Sequence, residues 1–162
     1  MEEKKEEKVR ISVRNLVEFI LREGDLDSRQ GGTADKEAML LGGRIHRKIQ
    51  RQMGGGYHAE VPLQIVVPCE KLDIIVEGRA DGIIEEDGRT AVDEIKGILQ
   101  DLDLIKEPKK VHLAQAKCYA YIYASIKELS EIGVQMTYCQ METEEVTRFY
   151  QTFSCEELKK WF

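Results

Sequence analysis

The chain has 162 residues, 42% of them hydrophobic, and a formal net charge of −6. That length and apolar content suit one compact domain with a proper core and remove the need for a disulfide scaffold. The acidic balance argues against non-specific coating of nucleic acid, although local patches outweigh the total once a cation offsets an acidic site.

Residues 1–8 mix both signs of charge and are expected as a solvated tail, leaving 9–162 as a single domain. The opening MEEKKEEK is not a basic region followed by an apolar one, and no apolar run approaches membrane-spanning length. The chain therefore reads as cytoplasmic, with no membrane partner. Ser12 can cap a helix whose apolar positions Val13, Leu16, Val17 and Ile20 keep helical spacing up to a stop at Gly24. A polar connector at 25–35 follows, and then a second helix at 36–53 that ends in Gly54-Gly55-Gly56. Leu41, Ile45 and Ile49 form its expected buried stripe. His46 borders that stripe, among Arg44, Arg47, Lys48 and Arg51, the most basic segment of the chain. These cations can meet phosphates or simply solvate an outer face.

Residues 57–67 alternate as a strand, and Pro62, which cannot donate to a ladder, makes it an edge strand. Residues 73–86 and 89–98 read as the two arms of a hairpin around Asp87-Gly88, since both turn positions tolerate positive φ. With that loop, Glu86 faces Arg89 and the continued register puts Asp81 opposite Glu94, Arg79 opposite Lys96 and Ile83 opposite Val92. Alternation then places those residues on one charged face, and Val76, Ala80, Ile84, Ala91 and Ile95 on an apolar one. Two carboxylates opposed at ~5 Å repel by roughly 3 kcal/mol at an effective dielectric of ~20. Two compensations are open: a charge square with Arg79 and Lys96 on a solvated face, or a divalent cation held by the carboxylate oxygens.

The polar stretch 100–110 leads to the longest expected helix, 111–132, which carries Gln115 and Tyr119 on one face and ends at Gly133. Residues 134–141 and 146–153 read as two further strands joined by a polar turn. Ser154 and Glu157 then form a capping box for a final helix that has a good start and no stop, as expected of one domain of a longer protein. The four cysteines, Cys69, Cys118, Cys139 and Cys155, form no CxxC pair and read as buried free thiols.

Four short motifs occur in a fixed order: a G-x-x-x-H helix (Gly42 to His46), a G-x-x-D strand (Gly78 to Asp81), an E-x-K strand (Glu94 to Lys96) and a Q-x-x-x-Y helix (Gln115 to Tyr119). This ordered set resembles the RecB-type exonucleases of the PD-(D/E)XK nuclease superfamily over about residues 40–123, with Ala80 where the superfamily name has proline. The resemblance implies an α/β, restriction-endonuclease-like fold, a mixed central sheet flanked by helices. It implies a metal-dependent DNA exonuclease acting in DNA repair or recombination. Asp81, Glu94, the Ile95 carbonyl and His46 would bind Mg²⁺ or Mn²⁺, and Asp81, Glu94 and Lys96 would form the catalytic set. Gln115 and Tyr119 would support the site or touch DNA, as would Arg47 and Arg79 from the basic helix and the hairpin. The hairpin register sets Asp93 on the face opposite Glu94 and so rejects it. Relatives with an iron–sulfur cluster place one cysteine before the motifs and three after. This chain does not, so no cluster is expected. No P-loop lysine motif occurs, so a helicase partner would be another domain or subunit. The rival reading is a non-catalytic DNA-binding or docking module of a helicase-nuclease, against which the intact acids and lysine weigh.

Overall fold

A computed structural model describes residues 8–21 and 33–162, with only the backbone described for 33–42. Most of the charged tail, the stop at Gly24, most of the connector at 25–35 and the side chain of Leu41 therefore lie outside the described residues. In order, the elements are β1 (Lys8–Ser12), α1 (Val13–Leu21), α2 (Thr33–Gln52), β2 (Tyr57–Pro68), β3 (Asp73–Glu86), β4 (Arg89–Ile98), a 3₁₀ turn (Leu102–Leu104), α3 (Lys110–Lys127), β5 (Glu131–Gln140), β6 (Val146–Ser154) and α4 (Cys155–Trp161). The fold is α/β, a six-stranded mixed sheet flanked by helices, in the order β1-β3-β4-β5-β6 with β2 also paired to β3.

β3 is the strand on which the sheet is built. It pairs β2 antiparallel along most of its length, β1 in parallel from Asp73 to Glu77, and β4 antiparallel from Gly82 to Glu86. Between β1 and β4, residues 78–81 thus have no strand partner on that side among the described residues, and the sheet forks there. Among the described strands β2 pairs only with β3, so Pro62 sits on an edge strand as expected.

The two sheet faces are covered separately. Val13 and Val17 of α1, Ala116, Ala120 and Ile122 of α3 and Leu158 of α4 share one core with Val92, Val134 and Met136. Ile45 and Ile49 of α2 form a second core with Ile95 and Cys139. No described helix is long and apolar enough to cross a membrane.

The hairpin turn forms at Asp87 (φ 53) and Gly88 (φ 74), and Glu86 pairs with Arg89. Ser12 caps α1 through Asn15 N–H at 3.0 Å, and the Ser154–Glu157 capping box closes on α4. Three expectations need correction. Lys8 and the residues after it form β1 rather than the end of a tail: five residues are too few to announce a strand, and parallel pairing with β3 supplies the bonds. The long helix ends at Lys127, because Glu128 turns left-handed (φ 58) and Leu129 N–H closes back on the Ala124 carbonyl. Gly133 accordingly lies inside β5 instead of stopping α3. Of the four cysteines, Cys118 and Cys139 are buried, whereas Cys69 and Cys155 are half-buried.

Candidate functional site

The hairpin register holds as far as Gly82 opposite Asp93 and stops there. Asp81 therefore does not face Glu94 across a ladder, and Arg79 does not face Lys96. The reason is a break in β3. Its β2 register steps from Ala80–Val61 to Gly82–Ala59 and skips Asp81 and Glu60, and Glu60 takes a left-handed φ of 54. An unpaired residue in each strand shifts the alternation. Before the break, Gly78 lies beneath Tyr119 of α3. After it, Glu85 meets Tyr123 of the same helix at 2.7 Å. Val76, Ala80 and Ile83 accordingly join one core, so the expected division into an apolar and a charged face is overturned.

Asp81 sits at this break, and its side chain enters the fork. Its Oδ2 accepts the Ile95 N–H at 2.7 Å, and its Oδ1 lies 3.6 Å from His46 Nδ1. A strand residue's N–H and C=O project to the same edge, so the Ile95 carbonyl also faces the fork. Glu94 and Lys96 alternate with Ile95, which packs on α2, and so project toward α3. Lys96 Nζ donates to Gln115 Oε1 at 2.9 Å and lies 3.5 Å from Glu94 Oε2. Glu94 Oε1 is buried, with no hydrogen-bond partner among the described residues.

Burial dominates the electrostatics. It raises the Asp81 carboxyl above the usual range against the opposing pull of His46, the Ile95 N–H and Lys96. It pushes Glu94 up to about 8, helped by the charge of Asp81 and opposed by Lys96. Two carboxylates at the fork are thus short of positive charge, and one oxygen lacks a donor among the described residues. That donor set fits a hard divalent cation, with His46 and the Ile95 carbonyl beside it. Among the described residues, however, no three His, Cys, Asp or Glu side chains form a ready-made metal cage. His46 comes from the α2 side and Glu94 from the α3 side, so the three expected side-chain ligands meet only through Asp81.

Tyr119 and Gln115 stand where the helical spacing put them, and each supports the fork. A Cβ on Gly78 would lie 2.5 Å from the Tyr119 hydroxyl, which is why this position has no side chain. Burial, then the charges of Glu94 and Asp81, raise the Tyr119 phenol, and the Arg79 backbone N–H opposes that rise. Arg47 is exposed on α2. Arg79 projects outward 3.9 Å from Glu60, not into a charge square with Lys96. Asp93 lies opposite Gly82 as expected and is wholly buried, but its surroundings are not simply apolar. It accepts from Thr137 Oγ1 at 2.6 Å, Tyr57 OH at 2.7 Å and Gln135 Nε2 at 3.3 Å.

Two residues at the fork escape the sequence reading. Gln50 Nε2 lies 2.8 Å from both the Asp81 carbonyl and Glu60 Oε2. The position of Gln50 four residues after His46 was an available signal; nothing in the sequence marks a left-handed glutamate.

No protein-family model matches the chain, and no curated protein does. A solved structure titled "Crystal structure of SSO0001" is similar in fold, with a TM-score of 0.63 and 18% identity over 99% of this chain and 74% of that one. The crystal structure of Scheffersomyces stipitis Rai1 aligns with 62% of this chain and 26% of its own, at a TM-score of 0.25 and 13% identity, and carries no argument.

Proposed function

We propose that this chain is a Mg²⁺- or Mn²⁺-dependent deoxyribonuclease, an exonuclease of the RecB type that acts in DNA repair or recombination beside a helicase domain or subunit. The observation that carries the reading is the pair of buried carboxylates at the fork, with Glu94 Oε1 left without a donor among the described residues. Isolated, such an atom costs roughly 1–3 kcal/mol or more; a cation there would turn that cost into a binding site. Asp81, Glu94, the Ile95 carbonyl and His46 would hold it. When bound, the cation would screen the phosphate and acidify an attacking water.

The chain's own residues supply the rest. Lys96 has three ammonium protons, and Gln115 and Glu94 engage two, which leaves one donor for a phosphate oxygen where negative charge grows. Gln115 fixes the direction of that ammonium. Tyr119 braces the unpaired edge of β3 so that Asp81 stays in the fork. Arg47 and Arg79, both exposed, supply cations for backbone phosphates outside the site.

The test is incubation of the purified chain with end-labelled single- and double-stranded DNA plus Mg²⁺ or Mn²⁺, beside Asp81→Ala and Lys96→Ala variants. Loss of one ligand or of the fixed cation should lower kcat by about 10²-fold or more. Equal activity in wild type and variants would overturn the assignment. One observation favours a second reading, a non-catalytic DNA-docking module: the lack of a ready-made three-residue cage among the described residues. DNA binding that is insensitive to chelator and never followed by cleavage is its signature.

A further inference from the structure

We propose that Gln50 is a positioning residue, whose amide clamps the break in β3 and so holds the Asp81 carboxylate in the fork. Asp81 stands outside both ladders, since the β2 register skips it and the β4 register ends one residue later. Its backbone carbonyl therefore needs another donor, and Gln50 Nε2 provides one at 2.8 Å. The second proton of that amide reaches Glu60 Oε2, also at 2.8 Å. Glu60 is the other skipped residue and carries the left-handed backbone, a conformation that persists in a non-glycine residue only where neighbours over-determine it. One side chain thus holds the two unpaired residues of the break together.

The clamp also reaches the imidazole. His46 and Gln50 lie one turn apart on the same face of α2, so anchoring Gln50 to β3 sets the distance between His46 and Asp81. Without the amide, the Asp81 backbone has no ladder bond to fix it. Its carboxylate then loses its hold on the Ile95 N–H, the bond that keeps β4 at the mouth of the fork. The catalytic consequence rests on the nuclease reading above, whereas the structural consequence does not.

The variants are Gln50→Ala, which removes the amide, and Gln50→Glu, which keeps its shape but cannot donate and sets a charge against Glu60. Three readouts apply to the full chain: hydrogen exchange at the Ile95 N–H, Mn²⁺ affinity from the electron paramagnetic resonance of free Mn²⁺ without DNA, and kcat against KM. In both variants the Ile95 N–H should exchange about tenfold faster or more while the β5–β6 amides keep their rates. Mn²⁺ affinity and kcat should each fall about 10- to 100-fold, and KM for DNA should stay within about twofold. An unchanged Ile95 rate overturns the proposal whatever the activity. Faster exchange with undiminished Mn²⁺ affinity and kcat overturns it as well, because Gln50 would then serve only the scaffold. If wild type neither binds Mn²⁺ nor cleaves DNA, the nuclease reading fails and the Ile95 exchange rate alone decides the clamp.

Discussion

Replacing Glu94 with glutamine keeps the size of the side chain and removes the charge that burial penalises. In the metal-free protein the Glu94 carboxyl is pushed from its ordinary 4.5 up to about 8. Below pH 4.5 the residue is neutral in both folded and unfolded chains and contributes nothing to the pH dependence. Between 4.5 and 8 the unfolded chain releases the proton and the folded one keeps it, so stability falls by ~1.4 kcal/mol per pH unit. The loss is roughly 3 kcal/mol by pH 7 and roughly 5 kcal/mol above pH 9, after which it levels off. Asp81, also raised, adds to it in the same direction. His112 opposes it over part of the range. Burial, then Lys96 and Lys109, lower that imidazole to about 4, so its contribution is lost as pH falls from 6.5 toward 4. The wild-type curve alone mixes these slopes, but the difference between wild type and Glu94→Gln cancels His112. With chelator present, the variant should melt higher than wild type by roughly 6–12 °C at pH 7, with the gap closing toward pH 5. Millimolar Mn²⁺ should restore wild type and leave the variant unmoved. A gap that stays constant from pH 5 to 9, or a variant that Mn²⁺ stabilises equally, would refute the reasoning.

Gly78→Ala drives a methyl against the Tyr119 hydroxyl and should cost about 1–3 kcal/mol in denaturant unfolding. Adding Tyr119→Phe should recover part of that cost, and a purely additive double variant would show that the two residues do not meet. Asp93→Ala strands the hydroxyls of Tyr57 and Thr137 and should cost about 3 kcal/mol or more. Any folded Asp93→Ala protein should still bind Mn²⁺ as wild type does, and loss of Mn²⁺ binding would move Asp93 into the site.

The sequence declared most strongly whatever is local. Asp87-Gly88 announced its turn, Ser12 and Ser154 their caps, and Pro62 an edge strand, because each depends on the residue itself and its near neighbours. Gln115 and Tyr119 were legible as a pair since helical spacing alone puts them on one face. β1 was not legible, because a parallel pairing partner some sixty residues away supplies its bonds. The end of α3 was also hidden: Leu129 and Ile132 continue a helical apolar pattern, and only the left-handed Glu128 interrupts it.

The continued hairpin register misled for a related physical reason. Strict alternation carries a side chain to a face only while the strand stays regular, and β3 is irregular at Asp81. Had the ladder continued, Asp81 and Glu94 would stand side by side on one face, and both would be free to turn toward water. The break instead turns Asp81 edgewise between β3 and β4, where the Ile95 N–H holds one oxygen and His46 approaches the other. Glu94 is left under α3 with an oxygen that nothing among the described residues satisfies. A regular hairpin would have explained its own charges; the forked one leaves a deficit of positive charge at the point where four short motifs converge.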